Sequence, residues 1–288
     1  MKQTYIINKF IYHVLSNGEA VIQTQSGMVR TDNVDMMRLI ETWDQKNQTI
    51  ANLEEFKSAF GADYIDAIEF LESYRIIEEM KEKKLDIDRL SIISNHSEIL
   101  TLLHKTIQTD YGKYSDVNVY DIDSIKPSQE KELSIVFLNP YNKALGLELR
   151  NRQMKSTNSI MLMSYVYESN FYIDCLYSPD WKTPCHQCHM GHIETQSLVA
   201  DSDTMTYQQM VSSLYAVDQN FKIEIPMTGT QQMNIVTLIS NKLNQFMNDY
   251  HTSKLHPEEM SDCTLLDLKT MKSYKDTSIH WELCDCYE

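Results

Sequence analysis

Glycine is what this sequence lacks most, with seven in 288 residues. Loops that cradle phosphate need glycine so that backbone can approach the anion closely. Neither G-x-G-x-x-G nor G-x-x-x-x-G-K-[ST] occurs, which speaks against an ATP or NAD site of the familiar kinds. Basic charge is also short: 26 Lys and Arg stand against 41 Asp and Glu, a net charge of −15. Affinity for nucleic acid comes largely from cations neutralising phosphates, so neither DNA nor RNA is expected as a partner. The best candidate for a local basic patch, "LRNRQMK" with Arg150, Arg152 and Lys155, reads as a solvated helix end. No apolar run approaches the ~18 residues of a membrane span, so no membrane partner is expected. The opening "MKQTYIINKFIYHVLSNGE" has neither the uninterrupted apolar stretch nor the small-residue cleavage site of a signal peptide. A cytoplasmic location is therefore expected, where thiols stay mostly reduced.

Residues 1–84 have one texture. "TYIIN", "FIYHVL", "AVIQTQ" and "MVRT" are β-branched or aromatic runs broken at Asn17-Gly18 and Ser26-Gly27. Three helical patterns follow. "DNVDMMRLIETWDQ" places Val34, Met37, Ile40 and Trp43 three apart, and "NLEEFKSAFG" has a cap at Asn52 and a stop at Gly61. "DYIDAIEFLESYRII" lines up Ile65, Ile68, Leu71 and Tyr74. Strands with three short helices suggest a small winged-helix-like module, whose acidic residues argue against phosphate contact. The charged "EEMKEKKLDIDR" marks a boundary near residues 79–89. From 85 to 288 strands and helices alternate. "LSIISN", "VNVYDID" and "LSIVFL" read as strands, "SEILTLLHKTIQTDYG" and "NKALGLELRNRQMK" as helices. "SIMLMSYVYESNFYIDCLYS" reads as strand, turn and strand, and helical stretches follow near 190–200, 204–220 and 230–249. "CTLLDLKT" and "SIHWELCDC" read as a closing hairpin. The alternation predicts a layered α/β domain with a partly parallel sheet.

Six cysteines remain to be explained. "TPCHQCH" brings Cys185 and Cys188 onto one turn, and "CDC" supplies Cys284 and Cys286 near the chain's end. Zinc takes four thiolates in a tetrahedron, commonly as two close pairs. Closing the long loop between the pairs costs only a few kcal/mol, whereas a structural zinc contributes ~10 kcal/mol or more. His189 or His192 can replace a cysteine in such a set. A second reading is a redox pair at Cys185 and Cys188, with Pro226 in the place of a thioredoxin-like cis-proline. Against it, "YSPDWKTP" is a polar loop rather than a buried strand, and the segment after Pro226 reads as a helix. Cys175 and Cys263 lie singly in apolar patterns and read as inert buried thiols. Trp181 and Trp281, each beside a cysteine pair, are expected to pack around the metal loop.

The blocks "YSPDWKTPCHQCH" and "IHWELCDCYE" resemble the McbB family, the zinc-binding, leader-recognising subunit of microcin-type thiazole/oxazole synthetases. They match it in residue type, order, pair spacing and distance from the chain end. The resemblance implies a winged-helix domain over 1–84 that recognises a leader peptide, followed by a degenerate ThiF/E1-like α/β domain over 85–288. It implies one structural zinc per chain on Cys185, Cys188, Cys284 and Cys286, and no ATP or flavin on this chain. The implied partners are a precursor-peptide leader, a YcaO-type cyclodehydratase and a flavin-dependent dehydrogenase, with a homodimer inside a larger complex. On that reading the chain is a non-catalytic scaffold for thiazole/oxazole formation. The leader would add a strand beside Met28, Val29 and Arg30, near Tyr74 at the end of the third helix; the plain alternative is that Met28 and Tyr74 are core. The alternative function, a cytosolic thiol-disulfide oxidoreductase using Cys185 and Cys188, stays open. A ThiF-like activating enzyme is opposed by the scarcity of glycine.

Overall fold

The computed structural model describes residues 3–79, 85, 87–112, 115–122, 128–200, 207–218, 223–247 and 257–287. It divides into two units, Met1–Glu82 and Lys83–Glu288.

The first unit runs β1 (Thr4–Ile7), β2 (Ile11–Val14), β3 (Ala20–Thr24), β4 (Gly27–Thr31), α1 (Val34–Lys46), β5 (Ile50–Asn52), α2 (Leu53–Phe60), α3 (Tyr64–Ser73) and β6 (Ile77–Glu79). Strands β2, β3 and β4 form an antiparallel meander, and β1 lies between β5 and β6 in a second small sheet. The Asn52 cap is present as a full capping box with Glu55, and Gly61 ends α2 at φ +55°. The buried face of α1 is Met36, Ile40 and Trp43, while Val34 is 64% exposed. Each step of three along a helix falls about 60° short of a full turn, so Val34 ends up opposite Trp43. The third helix stops earlier than its apolar spacing suggests. Arg75 takes a positive φ of 50°, which ends α3 and sends Ile76 and Ile77 into the core as extended chain. Trp43 and Tyr5 meet Phe56 edge-on at 5.9 and 5.2 Å in the middle of this core.

The second unit runs β7 (Arg89–Ser94), α4 (Ser97–Tyr111), β8 (Asp116–Asp121), β9 (Glu132–Leu138), α5 (Lys143–Gln153), β10 (Ile160–Tyr167), β11 (Asn170–Tyr177), α6 (His186–Ala200), α7 (Tyr207–Val217), α8 (Gly229–Met247), α9 (Pro257–Ser261), β12 (Asp262–Asp267) and β13 (Ser273–Thr277). Its seven-stranded sheet has the order β13-β12-β11-β10-β9-β7-β8. Strands β8, β7, β9 and β10 are mutually parallel, and β11, β12 and β13 continue antiparallel. Every residue of β9 and β10 is buried, as expected of strands covered on both faces. One face packs Leu90, Ile135 and Leu162 against Ile99 and Leu103 of α4 and Ile239 and Leu243 of α8. The other packs Val136, Met161 and Tyr165 with Leu149 of α5, Met190 of α6 and four cysteines.

The closing hairpin differs from expectation. Its second strand is Ser273–Thr277, and "SIHWELCDC" is irregular chain with turns. All five residues of β13 are exposed at the sheet edge, so the true strand carries no apolar alternation, while Ile279, Trp281 and Leu283 imitate one. Of the charged boundary stretch, residues 80–84 and 86 lie outside the described residues. Parts of the helices expected at 204–220 and 230–249 do too, namely 204–206, 219–220 and 248–249. Among the described residues no helix is long and apolar enough to cross a membrane.

Candidate metal centre

After β11 the chain passes through a short 3-10 turn at Pro179–Trp181 and reverses at Lys182, φ +51°. Thr183 Oγ1 donates to the Leu176 carbonyl at 2.8 Å, and Cys175 Sγ to that of Pro184 at 3.0 Å. The loop is thereby pinned to β11 just before Cys185. Helix α6 begins at the next residue, and the Cys188 N–H donates to the Cys185 carbonyl at 2.9 Å. The C-x-x-C therefore does open a helix. The tail is held to it by Lys182, whose Nζ donates to Tyr287 O at 3.2 Å and whose carbonyl faces His280 Nε2 at 3.0 Å. Within the tail, Cys284 N donates to Trp281 O at 2.9 Å, and Ser278 N ties its start to Ser261 O of α9 at 2.7 Å. The Trp281 indole lies across Gly191, where a Cβ would stand 2.2 Å from the ring. Trp181 instead packs with the apolar cluster on the other face of the sheet.

The four sulfurs of Cys185, Cys188, Cys284 and Cys286 lie within 4.8 Å of one another. Two separations cross from loop to tail, 3.5 Å for Cys185–Cys284 and 3.4 Å for Cys188–Cys286. These are free thiols, not disulfides. Zinc–sulfur bonds of about 2.3 Å give a tetrahedron with edges of about 3.8 Å, so the donor set fits a metal ion of that preference. All four cysteines are buried. Neither His189 nor His192 joins them. His189 Nδ1 lies 3.5 Å from Asp174 and its Nε2 meets Ser278 Oγ, while His192 Nε2 is 3.4 Å from the His280 carbonyl. The histidine that does approach is His280, with Nδ1 3.4 Å from Cys286 Sγ and 3.8 Å from Cys188 Sγ.

Arg150 is not a solvated helix end. It is 2% exposed, donates from Nε to Cys185 Sγ at 3.3 Å and from Nη2 to Cys284 Sγ at 3.6 Å, and pairs with Asp285. The signal was in the helix pattern: Gly146, Leu149, Arg150 and Gln153 form the buried stripe of α5. A glycine at 146 lets α6 come close, since a Cβ there would lie 2.7 Å from His186 Nε2. Hydrogen bonds from Cys188 and Cys286, and then from Arg150, hold the Cys185 thiol far below its ordinary value. Burial opposes the charge of Arg150, but Asp285 and Cys185 outweigh it and its guanidinium is held above its ordinary value. Cys175 is the opposite case, pushed up to about 12 by burial, and as such is no nucleophile.

Behind the cysteines runs a buried polar chain. Asp174 Oδ2 is 2.7 Å from His186 Nδ1, and His186 Nε2 is 3.0 Å from Tyr141 Oη. Tyr165 meets the same imidazole edge-on at 4.9 Å. Burial first, and Asp174 next, hold both tyrosine hydroxyls well above their ordinary value.

The residues expected to meet a peptide all lie in the first unit. Met28 and Arg30 are exposed on β4, an edge strand, and Val29 packs half-buried against the core. Tyr74 is 39% exposed, tilts against Phe70 at 5.1 Å, and accepts a bond at its carbonyl from Thr24 Oγ1 at 3.1 Å. Met28 and Tyr74 are thus not core.

A second crevice belongs to the sheet order. Strand β7 lies between β8 and β9, both parallel to it, and such a reversal point is where open α/β sheets bind ligands. Here the chain's own segment at Ile225 bonds to the strand end. Asn139, at the end of β9, accepts from the Ile225 N–H at 3.0 Å and donates to the Ile225 carbonyl at 2.8 Å. Asn95, at the end of β7, donates to the Pro140 carbonyl at 2.7 Å and accepts from the Asn139 N–H at 2.9 Å. Pro226 lies in this strap, and the cis peptide among the described residues is Asn139–Pro140.

A family model described as Microcin B17-processing protein McbB matches residues 5–288. The Microcin B17-processing protein McbB of Escherichia coli is 21% identical over 289 residues, covering 98% of this chain and 96% of that protein. Two solved structures are similar. One is the E. coli microcin synthetase McbBCD complex with pro-MccB17 bound, with TM-score 0.71, 19% identity and coverage of 98% of this chain and 99% of that one. The other is the E. coli McbBCD complex, with TM-score 0.57, 20% identity and coverage of 98% and 100%. At these identities the structural likeness carries the fold.

Proposed function

The chain belongs to the McbB family of microcin B17-processing proteins, and on that premise we propose that it is the non-catalytic scaffold of an azole-forming cyclodehydratase complex. It binds the leader of a ribosomally made precursor and presents the core to an ATP-dependent YcaO-type partner. A flavin-dependent dehydrogenase then oxidises the azoline, and the chain works in the cytoplasm as a homodimer within the larger assembly. The relative solved as a McbBCD complex with pro-MccB17 bound supports this reading.

The observation that carries it is the open edge of β4. Thr24 and Gly27 flank a two-residue turn and pair with each other. Alternation along the ladder then turns the backbone groups of Val29 toward β3 and those of Met28 and Arg30 outward. An extended leader adds there as a fourth strand of the meander, a mode in which main-chain bonds provide affinity and side-chain contacts, here with the exposed Tyr74 ring, provide selectivity. The contribution to the reaction is proximity: a tethered core reaches the partner's active site at high effective concentration. Arg150, Trp281 and the pinned loop keep the four cysteines of the metal centre in place. The metal we assign to Cys185, Cys188, Cys284 and Cys286 is zinc, one per chain. When bound it supplies cross-linking only, because four thiolates leave no open coordination position. The strap at Ile225 and the scarcity of glycine both support placing ATP use on the partner.

The test is reconstitution. The chain alone is expected to bind a fluorescent leader peptide and to show no ATP–pyrophosphate exchange. Addition of the YcaO-type partner should give loss of one water per ring, read by mass spectrometry, only when the chain is present. Disulfide reduction by metal-free protein, with no leader affinity, would restore the oxidoreductase reading.

A further inference from the structure

Four thiolates around a divalent ion leave an excess of two negative charges in a buried place. Uncompensated charge in a low-dielectric interior is costly, and what faces each sulfur here is unequal. Arg150 donates to Cys185 at 3.3 Å and to Cys284 at 3.6 Å. Its guanidinium stays protonated at any pH the fold survives, and its pairing with Asp285 aims it from the residue between the tail cysteines. Among the described residues no lysine or arginine is hydrogen-bonded to Cys188 or Cys286. Their neighbour is His280, whose Nε2 faces the Lys182 carbonyl at 3.0 Å.

We propose that Arg150 divides the metal-binding sulfurs into two classes, guarding Cys185 and Cys284 against electrophiles and leaving Cys188 and Cys286 as the side from which the centre opens. A hydrogen bond to a thiolate draws electron density from the sulfur, which lowers its nucleophilicity, and partners of this kind typically hold a metal about 10–100-fold more tightly. Arg150 is a positioning and neutralising residue rather than a ligand. Its role rests on the metal reading proposed above.

Exposure alone orders the sulfurs differently. Cys286 is 8% exposed, Cys284 3%, and Cys188 and Cys185 0%, so accessibility would expose Cys284 before Cys188. The experiment begins with metal analysis of the full chain, followed by a pulse of N-ethylmaleimide. The sulfur lone pair forms a C–S bond to the alkene, its metal–sulfur bond breaks, and the neighbouring carbon takes a proton from water. Label at each cysteine is read by peptide mass spectrometry, and zinc release by a coloured chelator. Wild type is expected to label at Cys286 and Cys188 before Cys284 and Cys185. Arg150→Gln should release zinc at least tenfold faster, with Cys284 and Cys185 joining the early set, and Arg150→Lys should fall between. Where Arg150→Gln fails to fold, Asp285→Asn decides, since Asp285 is 62% exposed at its side chain and its loss frees the guanidinium without burying anything new. Labelling that follows exposure, or release rates equal across these variants, overturns the proposal. A chain without stoichiometric metal, seen before any variant is made, overturns the metal reading and the role of Arg150 together.

Discussion

Gly191 stands in the middle of a helix, where glycine ordinarily costs stability, because Trp281 lies across it. Gly191→Ala would put a methyl 2.2 Å from the indole. The ring must swing out, and overpacking of this kind costs about 1–3 kcal/mol. Urea unfolding should show that loss, together with faster zinc release, since Cys284 hydrogen-bonds the Trp281 carbonyl. Lys242 is a second residue with a measurable signature. It is 7% exposed, bonds the Asp262 carbonyl at 3.1 Å and lies 5.2 Å over the Phe246 ring. Burial holds its amine below 10.5. The unfolded chain thus binds the extra proton between the lowered folded value and 10.5, so stability from this group rises with pH across that window and is absent at lower pH. Lys242→Met removes the titration. The stability difference between wild type and Lys242→Met should therefore shift toward wild type as pH climbs to 10.5, and a pH-independent difference would contradict the assignment.

At the scale of elements, β4 divides backbone roles between adjacent residues. Proline removes an N–H, which an edge strand tolerates only on its outward side. Met28→Pro is expected to leave the thermal melt nearly unchanged while leader affinity falls at least tenfold by fluorescence polarisation. Val29→Pro breaks the ladder to β3 and should lower the melting temperature itself. The reverse pattern would mean that the strand is read from its other register. Elements also show where periodicity is readable. The Asn52 cap, the apolar strands β9 and β10 and helix α8 are legible in local pattern, because each is decided by residues three or four apart or by two-sided burial. Strands β5 and β6, three residues each, carry too little alternation to be read: β5 falls between two helical patterns and β6 begins inside the third. Strand β13 was missed because nothing covers it.

For the molecule as a whole, the four cysteines bring the start of α6 beside residues 284–286, and a metal held by them would tie the two together. The cross-tail pairs are 99 and 98 residues apart in sequence. Structural zinc in small domains contributes on the order of 10 kcal/mol, so its removal should be felt throughout Lys83–Glu288. Cys284→Ser or Cys286→Ser is expected to carry no zinc and to melt several degrees lower by calorimetry. Leader affinity, assigned to the other unit, should survive, and its loss in parallel would move the peptide site.

The sequence by itself determined the four cysteines, the scarcity of glycine, the change of texture near residue 85 and the partly parallel sheet. Each of these is a matter of residue type, close spacing or local period. Only the tertiary structure decided that Arg150 is buried against sulfur, that His280 rather than His189 or His192 stands beside the centre, and that the Ile225 backbone is bonded to Asn139 at the end of β9. Those outcomes depend on partners far away in the chain: Arg150 and Asp285 are 135 residues apart, Cys188 and His280 92, Asn139 and Ile225 86. A charge on a helix looks the same in sequence whether it faces water or thiolates, and folding alone brings the acid and the sulfurs that make its burial stable.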